Sequence, residues 1–410
     1  MARKRKQAAR SFNTLGLFVD HETDWLFKRT LEYASVECAE IGECLVAARQ
    51  IDSRDAETWI RAWSALAARV ERHGDESLQK GRTVSARGCF LRAMNYYRSA
   101  EYACAPDHPR FHEYWRSSVA CMAKALPLLE GIVQRVEIPF EGKVLPGYFW
   151  RPDGTAAKRP TLTFVGGHDS SGEEMLMVGG RAAIDRGYNY FTFEYPGHRG
   201  ALHLDSGCVR RHDMEVPFAA AFDFLQGLPG VDERTALAGF SFGGYVAIRA
   251  AAFEPRVRAL IPDSPLIDPA GIFSRSQSTR LSRLPDGLFN AVVRRRLRGS
   301  AILSNFIRYG GWVRGETSPS FARIARLDYT AYNLRPFLDR ITCPVLSLVG
   351  EGEGEIMLTQ AREFHEKVAS QDKQLHVFTL ADDGSDDHCQ LDNITRGMQI
   401  AFDWLDERLR

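Results

Sequence analysis

Gly239-Phe240-Ser241-Phe242-Gly243 sets a serine between two glycines, after an apolar run and before the helix-period stretch "YVAIRAAAF". A tight strand-to-helix turn of this kind is a nucleophile elbow. Small neighbours let the chain bend sharply, and the positive end of the following helix lies beneath the hydroxyl. The pentapeptide alone is common. The strand before it and the helix after it carry the reading of Ser241 as a nucleophile, against the plainer one of a polar turn residue.

A serine nucleophile needs a base, and the base needs a carboxylate to orient it, in the chain order serine, acid, histidine. His388, in "ADDGSDDHCQ", follows the last expected strand, where a loop can return it to the serine; most other histidines lie on early helices or loops. For the acid, the loop Glu351-Gly352-Glu353-Gly354-Glu355 follows the strand "CPVLSLVG". Glu353 is the first choice, with Glu351 and Glu355 as neighbours to weigh, and Asp263 at the end of the preceding strand as the alternative. Three carboxylates in that loop would repel a phosphate, so it is no phosphate cradle. Oxyanion donors are expected from the N–H of Phe242 and from Gly167 or His168 after "LTFVGG".

The elements that position these residues fall into two blocks. Residues 1–133 read as an all-helical domain: "DWLFKRTLEYASVECAEIGECLVAARQ", "DAETWIRAWSALAARVERHG" with Asp55 as a cap, "SARGCFLRAMNYYRSAEY" and "FHEYWRSSVACMAKALPLL" have helical spacing. Trp59, Trp63, Tyr96 and Tyr97 are expected in its core. Residues 134–410 alternate strands and helices, which predicts an α/β fold with a mostly parallel sheet covered on both faces. A long arginine-rich, mostly helical insertion, about 270–335, interrupts it as a cap.

Lysine plus arginine, 53, nearly equals aspartate plus glutamate, 52, over 410 residues. That balance gives no general reason to bind nucleic acid or an anionic membrane. Neither a signal peptide nor a membrane span is expected after the basic start "MARKRKQAAR". Eight dispersed cysteines without a CxxC pair read as reduced core residues of a cytoplasmic protein, not as a metal site. Neither G-x-G-x-x-G nor a Walker A sequence is present, so no cofactor is expected.

Residues 271–314 hold nine arginines and one acid, Asp286. Arg294, Arg295 and Arg296 are the expected contacts for an anionic or phenolic substrate or an acidic carrier protein. A solvated basic helix is the plainer alternative.

The segments "TWIRAW", "FLRAMNYYRSAEY", "GGHDSSGEE", "YPGHRG", "GFSFGGY" and "DDGSDDHCQ" resemble α/β-hydrolase-fold serine hydrolases with a helical domain before the sheet. That group includes 2,6-dihydroxypseudooxynicotine hydrolases, fungal polyketide-shortening hydrolases and FrsA-like esterases. The resemblance implies hydrolysis of a carbon–carbon bond beside a ketone, or of an ester, in an aromatic or polyketide-like small molecule. It also implies a dimer built through the helical domain. Its acid position usually holds aspartate, where this chain has glutamate. Acyl transfer from the same acyl-enzyme, and a non-catalytic regulatory role, are the alternatives; an intact serine, histidine and carboxylate set argues against the second.

Overall fold

The computed structural model describes residues 10–270, 284–318 and 320–409. Residues 1–9 of the basic start and three of the cap arginines, Arg275, Arg280 and Arg283, lie outside the described residues.

Helices fill the first block. They are α1 (His21–Glu32), α2 (Ile41–Ala48), α3 (Ala56–Gln79), α4 (Thr83–Tyr102) and α5 (Phe111–Ala125). Asp55 caps α3 as expected, its carboxylate accepting from the Glu57 N–H. The first helical stretch breaks in two where Glu37 adopts a φ of 64°, so α1 and α2 meet at an angle that periodicity alone does not reveal. Trp59, Trp63 and Tyr96 are almost wholly buried and pack with tilted rings, centroids 5.7 and 5.5 Å apart. They form the core of this block.

The strands β1 (Ile132–Phe140) and β2 (Lys143–Arg151) make a hairpin. Its turn, Glu141-Gly142, has positive φ at both residues, as a tight two-residue hairpin requires. Next come β3 (Arg159–Val165), α6 (Gly172–Asp185), β4 (Asn189–Phe193), α7 (Arg199–Leu204), α8 (Glu215–Gln226), β5 (Val231–Phe240), α9 (Phe242–Ala251) and β6 (Val257–Asp263). The cap supplies α10 (Asp286–Arg296), α11 (Ala301–Trp312) and α12 (Phe321–Ala325). The chain closes with β7 (Val345–Gly350), α13 (Glu355–Lys367), β8 (Lys373–Phe378) and α14 (Ile394–Leu409).

The eight strands form one sheet in the order β1-β2-β4-β3-β5-β6-β7-β8. From β4 through β8 all neighbours run parallel. Successive strand residues feed opposite faces: Phe164 and Tyr190 enter a buried cluster shared with Trp63 and Trp150, whereas Val165 and Phe191 enter one shared with Tyr245. The helical block is thus welded to one face of the sheet. No helix among the described residues is long and apolar enough to cross a membrane.

The cap is tied to the helical block. Ala301 N–H donates to Ser53 O (3.1 Å), the Asn305 amide donates to Ala103 O (2.8 Å), and Arg308 pairs with Asp107 at 2.6 Å. Cap and helices together roof the carboxyl ends of the parallel strands, where open α/β sheets bind ligands.

Candidate active site

Ser241 lies between the end of β5 and the start of α9 with φ 57° and ψ −121°. This backbone is strained for a residue with a side chain, and the surrounding glycines permit it. A Cβ on Gly239 would sit 2.1 Å from Gly243 O, and one on Gly243 would sit 2.7 Å from the carbonyl oxygens of Val165 and Gly166. The Ser241 N–H donates to Asp263 O at 2.5 Å, fastening the turn to the end of β6.

Three side chains converge there from the ends of different strands. Ser241 Oγ is 2.8 Å from His388 Nε2, and His388 Nδ1 bonds Glu353 Oε2. Glu353 is fixed from two further sides. The Gly350 N–H donates to Oε1 at 2.9 Å, and the Ser264 hydroxyl lies 2.6 and 2.7 Å from the two carboxylate oxygens. Burial alone would depress the His388 imidazole; the charge of Glu353 outweighs it, and the net shift is upward.

Asp263 sits close by but does not reach the histidine. Its Oδ1 accepts from the Gln390 amide at 3.3 Å, and its Oδ2 is buried without a partner among the described residues. Burial, reinforced by the charge of Glu353, pushes its pKa to about 8, so at neutral pH the carboxyl is mostly protonated. A neutral acid is poorly suited to orienting an imidazolium. Glu351 and Glu355 flank Glu353, and neither bonds His388.

The two candidate oxyanion positions after β3 differ. The Gly167 N–H donates to Ser170 Oγ at 3.1 Å and is therefore committed. The main-chain N–H groups of Phe242 and His168 have no hydrogen-bond partner among the described residues. Gly167 contributes space instead, since a Cβ on it would sit 2.7 Å from Ser241 Cβ. The His168 side chain is held edge-on by Phe306 and Tyr309 of α11, at 5.4 and 5.3 Å. Burial, then the charge of Arg210, lowers its pKa to about 3, so the ring is neutral.

The loop carrying His388 is braced by the amino-terminal segment, a role that sequence reasoning missed. The His388 N–H donates to Arg10 O at 3.0 Å. Asp386 accepts from the Ser11 hydroxyl (2.6 Å) and the Phe12 N–H (2.8 Å). Asp387 takes the Trp25 indole N–H at 2.8 Å and pairs with Lys28 at 2.9 Å. Such long-range contacts leave no periodic signature. Ser264 was also missed, although it directly follows Asp263.

Ser241, His388, Glu353, Phe242 and His168 line one cavity of about 1310 Å3. Its floor is the strand ends; its walls include Trp25 and Tyr33 of the helical block and Phe289, Phe306 and Tyr329 of the cap region. Ligand pockets typically span about 300–1,000 Å3, so there is room for a large, largely apolar molecule. Arg294, Arg295 and Arg296, expected at the substrate, are instead exposed on the last turn of α10 and are absent from this lining. A run of adjacent arginines on a short helix points in several directions at once, and water takes the charge.

Comparison with known proteins agrees with the architecture. Residues 51–304 match the family described as Esterase FrsA-like. The hydrolase acrC of Aspergillus aculeatus is 38% identical over 346 residues, covering 77% of this chain and 79% of that one. The 20-hydroxy-prefusarin hydrolase FUS2 of Gibberella moniliformis is 33% identical over 342 residues, covering 78% and 80%. Among solved structures, the 2,6-dihydroxy-pseudo-oxynicotine hydrolase superposes with a TM-score of 0.71 at 22% identity, over 92% of this chain and 95% of that one. The chain belongs to the FrsA-like esterase family and is a hydrolase with the α/β-hydrolase fold.

Proposed function

We propose that the protein hydrolyses an ester, or a carbon–carbon bond beside a ketone, in a sizeable apolar small molecule through an acyl-enzyme on Ser241. The observation that carries this is the relay of Ser241 Oγ to His388 Nε2 at 2.8 Å, with Glu353 on the opposite ring nitrogen. His388 takes the proton of Ser241 as Oγ adds to the carbonyl carbon, and Glu353 stabilises the imidazolium that results. The tetrahedral oxyanion accepts hydrogen bonds from the Phe242 and His168 N–H groups. Collapse expels the leaving group, an alkoxide or a stabilised carbanion, which takes the proton from His388. Water, activated by the same histidine, then releases the acyl group as a carboxylate.

The volume and aromatic walls of the cavity support a ring-bearing or polyketide-like substrate, and the relative FUS2 is named for hydrolysing a small molecule, 20-hydroxy-prefusarin. Eight cysteines, none in a disulfide, support a reducing, cytoplasmic setting.

Intact-mass measurement of fluorophosphonate labelling tests the reading. Wild type gains one phosphonyl adduct, Ser241→Ala gains none, and Glu353→Gln labels slowly. Unlabelled wild type, or equal labelling of Ser241→Ala, removes the proposal.

A further inference from the structure

Four arginines line the cavity: Arg10, Arg29, Arg210 and Arg335. Three are neutralised within the protein. Arg10 pairs with Glu22 at 2.9 Å, Arg29 with Asp169 at 2.5 Å and Glu174 at 2.6 Å, and Arg335 with Asp268 at 2.8 Å and Glu363 at 2.7 Å. Arg210 has no carboxylate partner among the described residues. It is only 9% exposed, and its Nε and Nη2 are buried without a hydrogen-bond acceptor.

A guanidinium in this state is expensive to maintain. Desolvating an ion without pairing it is among the larger penalties a fold can carry, and stacking on an aromatic face recovers only part of it. The fold nevertheless holds Arg210 firmly. Its N–H donates to Val313 O at 2.8 Å, linking the loop to the cap. Its Cβ packs where a side chain on Gly197 would intrude, at 2.4 Å. Its Cζ lies 4.1 Å from the centre of the Phe242 ring, the residue directly after Ser241. Beside it, His168 lines the same cavity with Nδ1 buried and unpartnered. The ring is neutral, so it can serve such an anion as a hydrogen-bonding group without adding a second charge.

We infer that Arg210 is the receptor for an anionic group of the substrate, a carboxylate or the ionised enol of a 1,3-dicarbonyl, held next to the carbonyl that Ser241 attacks. Both groups present two coplanar oxygens to the fork of the guanidinium. The inference rests on the proposed hydrolysis for its meaning, but Arg210 binds the anion whether or not Ser241 reacts. The positive charge expected from Arg294–Arg296 is supplied instead by one arginine in the loop between α7 and α8.

The test is equilibrium binding by calorimetry with three probes: 2-naphthoate, the neutral isostere 2-naphthamide, and the enolate of 2-naphthoyltrifluoroacetone, an acyclic 1,3-diketone whose two oxygens can face one fork. Wild type is expected to bind 2-naphthoate, the enolate, or both at least about tenfold more tightly than 2-naphthamide. Arg210→Gln abolishes that preference while leaving 2-naphthamide affinity unchanged; Arg210→Lys retains only part of it, because the fork is lost. Preference for naphthoate alone assigns a carboxylate, and for the diketone enolate alone an enol. Wild type binding all three probes equally overturns the inference, as does a preference that survives in a folded Arg210→Gln protein. Fluorophosphonate labelling of the same samples reports on Ser241 separately, so loss of one reading does not hide in the other.

Discussion

The elbow around Ser241 and the cap above it are both built from local sequence features that stand out, yet only the elbow's residues lie in the cavity where those features place them. At the elbow, each glycine answers a backbone approach of under 3 Å, so the motif specifies geometry. In the cap, the arginine run specifies only charge, and charge without a fixed direction goes to solvent. The cap's contribution to the cavity comes from apolar and aromatic side chains, Phe289, Phe306 and Tyr329. A motif that constrains the backbone is a safer guide to a site than one that supplies a property.

Substitutions can break or sharpen that contrast. Ser241→Ala should lower kcat for an activated aryl ester by roughly 10,000-fold or more, the loss typical of removing a triad nucleophile. Next, Glu353→Gln and Asp263→Asn separate the two buried carboxyl groups. The first should cost roughly 10,000-fold in kcat by leaving the imidazolium unpaired, as in other triads. The second should stay within about threefold, since Asn mimics an acid that is already protonated. A reversal of these two results would make Asp263 the orienting group.

Asp386→Ala should cut kcat by about tenfold and lower Tm by a few degrees, as it frees both the His388 loop and the Ser11–Phe12 segment. In pH profiles, His388 must be neutral to accept the serine proton. Its pKa is raised, so kcat/KM should fall on acidification with a midpoint above the ordinary histidine value of about 6.5. Glu353→Gln should move that midpoint down. The smallest effect belongs to the cap: replacing Arg294, Arg295 and Arg296 together with Gln should change kcat/KM by less than about twofold at physiological salt. A larger change would return the cap charge to the substrate.

Much of the frame was legible in the sequence, because strand and helix periods are local. The hairpin turn, the Asp55 cap and the strands bearing Ser241, Glu353 and His388 all follow from a few neighbouring residues. Glu353 could be preferred over Asp263 only by its place after the right strand; burial, which neutralises Asp263, is a property of the packed interior. Arg210 gave no signal at all. It is one of two adjacent arginines in a loop, and only its lack of a partner, visible once the fold is assembled, sets it apart from Arg211, which pairs with Asp213 at 2.6 Å and Glu141 at 2.9 Å.

The brace between Ser11 and Asp386 spans 375 positions of the chain. Contacts of such separation form late, after the entropy of closing the intervening loop has been met. His388, the proposed base, therefore gains this support only once the segments around Ser11 and Asp386 have been brought together. During refolding, fluorophosphonate reactivity should emerge with the last kinetic phase, behind far-ultraviolet circular dichroism. On the proposed mechanism, a chain in which that brace has not closed would own the serine and its elbow but an unsupported base, so activity would wait on a contact made far from the elbow.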